Sequence, residues 1–257
     1  MKILDFKGRS ALITGAAGSI GKAVAAQLIE DGAEVVLTDY NREQLDKVAE
    51  ELGVRAMAAD VTDAGQVKQV VDYTLGQFGR IDILINVAGI VGQGLVEDLT
   101  EEEWDRMFDV NCKGTFLFCK YAVPEMKKSR YGKIVNFSSK SGKTGSALMS
   151  HYCAAKGAII SFTQALAYEL ADYGINVNCV CPGITDNSGV WGVVSAGYTE
   201  NLKMPKDEVV KKFTGKIPLK RLATVDDVAS VTVFLASKGA DYMTGQAVNI
   251  TGGREMH

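Results

Sequence analysis

Tyr152 and Lys156 stand four residues apart, and Ser139 precedes the tyrosine by thirteen, in the stretch SSKSGKTGSALMSHYCAAKGA. Such a trio can move a proton. A tyrosine phenol ionises near pH 10, too high for a base at neutral pH. On a helix, a lysine at i+4 lies on the same face, within reach of the phenol or of a ligand that bridges to it. Its ammonium charge favours the phenolate and predicts a lowered tyrosine pKa. A thousandfold gain in acidity corresponds to roughly 4 kcal/mol. Ser139 is placed to hold and polarise the reacting oxygen. The same spacing also fits an amphipathic helix with a solvent-facing lysine and a tyrosine at the core edge. The elements around the trio decide between the two. Cys153, beside the tyrosine, is read as a small buried thiol and not as a nucleophile.

Those elements alternate. SALIT, EVVLT, IDILIN, GKIVNFS and NVNCVCP have the continuous apolar character of strands buried on both faces. GKAVAAQLIEDG, NREQLDKVAEEL, AGQVKQVVDYTLGQF and EEEWDRMFDVNCKGTFLFCKYAVPEMKK read as helices between them, followed by helices from Tyr152 to about Tyr173 and at DDVASVTVFLAS, then a last strand, GQAVNIT. The alternation predicts an α/β fold: one Rossmann-like, doubly wound parallel sheet with helices on both faces, joined by right-handed crossovers. With 257 residues, 47% of them apolar, one domain over residues 1–257 is the economical reading. Residues 186–216 are polar, contain Gly189, Gly192 and Gly197, and follow directly on Pro182-Gly183. They read as a long excursion with one short helix, MPKDEVVKKF, of the kind that serves as a substrate lid.

Composition removes several function classes. A net charge of −3 with interspersed signs provides no basic field for nucleic acid or for a membrane surface. The start, MKILDFKGRSALITG, has neither signal nor transit character, and no apolar run approaches the ~18 residues of a membrane span. Five cysteines without a C-x-x-C pair, and only two histidines, argue against zinc and predict no metal. Reduced thiols suit a cytoplasmic enzyme.

A cofactor end is legible near the start. Residues 14 to 21 read TGAAGSIG, after a strand and opening a helix. Gly15, Gly18, Ser19, Ile20 and Gly21 would turn tightly and let a pyrophosphate approach the N–H groups of the helix N-terminus. A second strand ends at Asp39-Tyr40, eighteen residues beyond Gly21 for the aspartate. A carboxylate there would accept bonds from the adenosine ribose hydroxyls and repel a 2′-phosphate, so NAD is predicted over NADP. The other reading of Asp39 is a solvated turn residue. Asp60 is a candidate partner for the adenine amino group, with Val61 on the ring edge, or else a helix cap. Asn86, Ala88 and Gly89 end the fourth strand. The small residues would let a dinucleotide cross the strand ends, whereas Asn86 would equally serve to bridge neighbouring strands.

TGAAGSIG, Asp60-Val61, NVAG, the NCKG that starts at Asn111, Ser139, YCAAK and Pro182-Gly183 together resemble the short-chain dehydrogenase/reductase family over essentially the whole chain. The resemblance implies that Asn111, Ser139, Tyr152 and Lys156 act together. Tyr152 would exchange the hydroxyl proton, Lys156 would lower its pKa and bind the nicotinamide ribose, and Ser139 would orient the substrate oxygen. Asn111 would interrupt its helix and help hold a water near Lys156. Ser138 competes with Ser139, but the spacing to Tyr152 favours Ser139. Pro182, Gly183, Ile184 and Thr185 would border the nicotinamide. The chain departs from the family pattern in the position of Gly18, in Val87 of NVAG, and in Asn187 where a threonine is usual; Thr185 or Asn187 is left to contact the carboxamide.

For the substrate, Lys140 and Lys143 lie close in sequence to Ser139 and would receive a phosphate, sulfonate or carboxylate, unless they are solvent-facing loop lysines. Trp191, with Val193, Val194, Tyr198 and Met204, gives the expected lid apolar surface. The catalytic segment, IPLKR and the ending DYMTGQAVNITGG are similar to polyol dehydrogenases, sorbitol and sorbitol-6-phosphate 2-dehydrogenases among them, and the ending is shared with 3-oxoacyl-acyl-carrier-protein reductases. The expected reaction is NAD-linked oxidation of a secondary alcohol on a polyol or sugar-derived small molecule. The alternatives are reduction of a 3-oxoacyl thioester and, in a different class, a non-catalytic dinucleotide-binding redox sensor. Homotetramers are common in the family, and the helices around residues 101–128 and Tyr152 are the expected contacts.

Overall fold

The computed structural model describes residues 4–186 and 205–257, together with positions 188, 189, 192, 195 and 199. Strands β1 (Ser10–Thr14), β2 (Glu34–Thr38), β3 (Arg55–Ala56), β4 (Ile83–Asn86), β5 (Gly132–Phe137), β6 (Ile175–Pro182) and β7 (Ala247–Ile250) form one sheet in the order β3-β2-β1-β4-β5-β6-β7. Every pairing is parallel. Parallel neighbours need long crossovers, and helices supply them. The winding reverses between β1 and β4, which leaves a crevice at the carboxyl ends of those two strands.

The strand pattern explains the two cores. Leu12 and Ile13 are neighbours in β1, so their side chains leave on opposite faces of the sheet. Ile13 joins Val24 and Leu28 of α1 (Ser19–Glu30), Leu45 and Val48 of α2 (Arg42–Leu52), and Val228 and Val233 of the last long helix, Val225–Ala236. Leu12 joins Val67 and Val70 of α3 (Ala64–Phe78), Phe118 and Met126 of the helix Gly114–Ser129, and Leu166 and Leu170 of the helix Ser150–Leu170. Strands enclosed on both faces must be apolar along their whole length, which is how they read in the sequence.

One expected helix is divided. EEEWDRMFDVNCKGTFLFCKYAVPEMKK forms α4 (Glu101–Phe108), a π-helical turn (Asp109–Lys113) and α5 (Gly114–Ser129). The Asn111 side-chain amide donates to the carbonyls of Met107 and Ile90, each at 3.0 Å, so it competes with the backbone for a helical acceptor. After β5 comes a single short turn, α6 (Ser141–Thr144), then α7 (Ser150–Leu170), which starts two residues before Tyr152. Within the expected excursion, α8 (Lys206–Thr214) corresponds to MPKDEVVKKF, and α9 (Val225–Ala236) follows under a Thr224–Asp227 capping box. Among the described residues, no helix is long and apolar enough to cross a membrane.

Candidate active site

The loops that leave β1, β2, β4, β5 and β6 enclose a cleft of about 1380 Å³ along the carboxyl ends of the sheet. Every predicted cofactor contact except Asn86 lines it, as do Ser139, Lys140, Tyr152 and Lys156. Residues more than a hundred positions apart in the chain are brought together there because all follow neighbouring parallel strands.

The β1 end is shaped for a phosphate. Gly15 adopts φ +64°, and a Cβ on it would lie 2.7 Å from the Ala88 backbone nitrogen, so the turn requires glycine. Helix α1 begins after Gly18 with no side-chain cap and no acidic residue in its first turn. Its leading N–H groups and positive dipole end therefore face the cleft unopposed. The buried Ser19 hydroxyl has no hydrogen-bond partner among the described residues. Asp39 is buried at the end of β2, where its two oxygens accept from Ala17 N at 3.1 Å and Asn41 N at 3.0 Å. Those bonds tie the carboxylate to the glycine turn, an arrangement unlike that of a solvated turn residue. Tyr40 beside it is 80% exposed. This set of residues fits the adenosine and pyrophosphate of a dinucleotide.

Asp60 does not cap α3. Its Oδ1 accepts from the backbone N and hydroxyl of Thr62, each at 2.8 Å, while Asp63 caps the helix by accepting from Gly65 and Gln66. Spacing alone left the cap ambiguous, because three of the four residues from Asp60 to Asp63 can cap. Val61 is buried beneath the cleft. Asn86 is turned away from the cleft. It donates to Asn136 Oδ1 at 2.9 Å, and Asn136 donates to Thr163 at 3.0 Å, a buried chain that joins β4, β5 and α7. Its side-chain amide bridges neighbouring strands, the second of the two expected roles.

At the other end, α7 presents Tyr152 and Lys156, both buried. The ammonium of Lys156 donates to the Phe137 carbonyl at 2.9 Å and lies 5.7 Å from the centre of the Tyr152 ring. Ser138 donates to the Lys156 carbonyl at 2.7 Å. Ser139 Oγ accepts from Ser141 N at 3.1 Å and lines the cleft beside Tyr152. The two serines thus divide into a structural one and one presented to a ligand. Asn111 does not line the cleft itself but lies just behind it. A Cβ on Gly89 would be 2.6 Å from Asn111 Oδ1 and 3.1 Å from Lys156 Nζ, so both polar atoms converge on one glycine. Asn111 Oδ1 is buried with no partner among the described residues.

Burial decides the acidities. It pushes the Tyr152 phenol up to about 12, with Ser139 opposing the rise by hydrogen bonding. It pulls the Lys156 ammonium down to about 8. The lowered phenol expected from the i+4 lysine is therefore corrected: desolvation is the largest influence, and the ammonium is directed at Phe137 O. At neutral pH the phenol is a proton donor.

The substrate end differs from expectation. Lys140 lines the cleft and donates to Ser146 Oγ at 2.9 Å. Lys143 does not line it; its ammonium reaches across to the Ala247 carbonyl of β7 at 2.7 Å. Proximity in sequence to Ser139 misplaced it. Trp191 lies outside the described residues, as do Asn187, Val193, Val194, Tyr198 and Met204. Pro182, Gly183, Ile184 and Thr185 line the cleft beside Tyr152, and Thr185 forms a bridge to Ala223. Three lining residues have no local sequence signal: Phe213, Lys216 and Arg254. They arrive from distant segments, and only the assembled fold brings them to the cleft that Ser139 lines.

Residues 15–255 match the family described as enoyl-(acyl carrier protein) reductase. Galactitol 2-dehydrogenase of Agrobacterium fabrum is 39% identical over 98% of this chain and 100% of its own. Sorbitol dehydrogenase of Cereibacter sphaeroides is 37% identical over 97% and 98%. A 3-oxoacyl-acyl-carrier-protein reductase of Staphylococcus aureus is also 37% identical, over 96% and 98%. Among solved structures, NAD+-bound xylitol dehydrogenase superposes with a TM-score of 0.90 at 34% identity, covering 96% of this chain and 99% of that one.

Proposed function

We propose that this chain, which belongs to the short-chain dehydrogenase/reductase family, oxidises a secondary alcohol of a polyol or sugar-derived small molecule to the ketone, with NAD+ as the oxidant. The observation that carries this reading is the cleft itself. One end offers the Gly15 turn, the uncapped start of α1 and the tethered Asp39, and the other offers Ser139, Tyr152 and Lys156. A dinucleotide held by the Gly15 turn, the start of α1 and Asp39 would supply the hydride acceptor. Tyr152 exchanges the proton of the reacting hydroxyl, and Ser139 donates to the same oxygen and orients it. The Lys156 ammonium stabilises negative charge on the phenol and, with Asn111 behind Gly89, keeps the nicotinamide side of the site polar. The walls of Ile184, Val91 and Met149 limit water at the reacting carbon.

The test is a screen of initial rates with NAD+ and with NADP+ across polyols, their phosphates and hydroxy acids, with acetoacetyl-CoA and NADPH as a separate arm. NAD-linked oxidation of at least one polyol-type alcohol is expected. Turnover confined to the thioester would replace this reading with the carrier-protein reductase, which the Staphylococcus relative favours. Tight NAD binding without turnover on any member would favour a sensor.

Asp39 bears on cofactor choice. Asp39→Ala removes the charge that opposes a 2′-phosphate, so the NAD/NADP ratio of kcat/KM should fall by about tenfold or more, the effect of roughly 1.4 kcal/mol. An unchanged ratio would show that the carboxylate acts only on the turn. This reading places the enzyme in the cytoplasm as a homotetramer. Trp104 on α4, Phe116 on α5 and Tyr168 on α7 are exposed aromatics on the helices expected to pair, and sedimentation equilibrium measures the state directly.

A further inference from the structure

Positive charge is gathered at one end of the cleft. Lys140 follows Ser139, Lys216 follows α8, and Arg254 follows β7, yet all three line the same wall. Lys140 and Arg254 also share a smaller recess with Gly183 and Ile184. Burial is the main force against protonation of Lys140; Arg254 and Lys216 lie close enough to add to it, and Glu255 works the other way. Like charges held together are unfavourable unless something compensates for them. One carboxylate is present: Glu255 Oε1 lies 3.4 Å from Arg254 Nε. That contact uses the edge nitrogen, and among the described residues the remaining N–H groups of the guanidinium have no hydrogen-bond partner. Among the described residues the Lys140 ammonium bonds a neutral hydroxyl, that of Ser146, and the Lys216 ammonium has no hydrogen-bond partner.

The cluster is positioned. Arg254 has its guanidinium carbon 5.6 Å from the centre of the Phe213 ring, and its side chain is only 19% exposed. A guanidinium held in this way is suited to a planar, two-point grip on an oxyanion. The cations lie on the β5–β6–β7 side of the cleft, away from the β1 turn that fits the cofactor phosphates. Asp39, Glu102 and Asp105 also line the cleft, as does Arg106 beside Asp105.

We propose that Arg254, with Lys216 and Lys140, forms a subsite for an oxyanion carried by the substrate, a phosphate or a carboxylate, so that the preferred alcohol is an anionic polyol derivative and not a neutral polyol. This rests on the alcohol oxidation argued above and names its substrate class.

The experiment is calorimetric titration of sorbitol, sorbitol 6-phosphate and gluconate into the full-length protein with NADH present, together with initial rates for the same three and NAD+. At least one anion is expected to bind tenfold or more tightly than sorbitol, and the better of the two identifies phosphate or carboxylate. Arg254→Gln should bring the anion-to-sorbitol affinity ratio close to one. Lys216→Gln, at an exposed position where folding is not at stake, should lower it several-fold. Equal affinity for all three ligands, or a ratio that survives both substitutions, would overturn the subsite. Tight anion binding without oxidation of any of the three would instead count against the reaction and leave the subsite standing. Oxidation of sorbitol with no anion advantage would do the reverse.

Discussion

Replacing Tyr152 by phenylalanine should lower turnover by about 10²- to 10⁴-fold, the range that a positioned proton-transfer group contributes. The ring packs with Met107, Met149 and Ala155, so phenylalanine keeps the apolar contacts and loses only the hydroxyl. Folding should therefore be retained, and NAD affinity should stay within a few-fold. Initial rates and a cofactor titration check the two halves separately. A variant that stays fast would mean that another group moves the proton. The wild-type enzyme adds a pH signature. Its phenol, pushed up to about 12, carries its proton at neutral pH. Oxidation releases the hydroxyl proton to a group that must be free to accept it, so it should accelerate as pH rises from 7, whereas ketone reduction, which consumes a proton, should not. The phenylalanine variant should lose that slope.

The second large effect concerns Lys156. Lys156→Met should reduce turnover by at least about 100-fold, because the phenol loses the neighbouring cation that steadies its ionised form. The same change should alter stability in the opposite sense. The ammonium sits at about 8 in the folded protein, below its usual 10.5. Between those values the unfolded chain binds more protons than the folded one, so wild-type stability rises with pH across that window. Below pH 8 the buried charge costs on the order of 3 kcal/mol. Methionine removes that cost but leaves the Phe137 carbonyl without its donor, a penalty of about 1–3 kcal/mol. The net gain at pH 7 is therefore small, about 1 kcal/mol, or a few degrees in Tm. The sharper expectation is that the gain of the variant over wild type shrinks as pH is raised from 8 to 10. Thermal melts at several pH values measure it. A difference that does not change with pH would mean that Lys156 is not a desolvated cation in the folded state.

What the sequence could disclose followed from local physics. The strands were legible because enclosure on both faces imposes uninterrupted apolar runs, as in SALIT. The glycine turn and Asp39 were legible because each stands at a fixed point in a strand–turn–helix unit. Tyr152 and Lys156 were legible because helical spacing puts them on one face. The failures involve long-range geometry. Lys143 is three residues from Lys140, yet its side chain crosses to β7, and no local pattern reveals that. Arg254 and Lys216 reach the cleft only because β7 adds to the edge of the sheet beside β6 and α8 folds back over that end. The acidity of Tyr152 was misjudged in sign because spacing reveals the neighbouring charge but not the depth of burial. Asn86 left two readings open, and only the position of Asn136 on the next strand separates them.

The π-helical turn at Asp109–Lys113 has a consequence for how this chain tolerates length changes. A wide turn holds one more residue than an α-helical turn in the same span. Deleting a single residue there would let α4 and α5 merge into one uninterrupted rod with their faces still in phase, because the wide turn absorbs the residue removed. What would be lost is the local widening that lets the Asn111 amide reach the carbonyls of Met107 and Ile90, so the length of this segment is tied to the placement of one side chain behind Gly89.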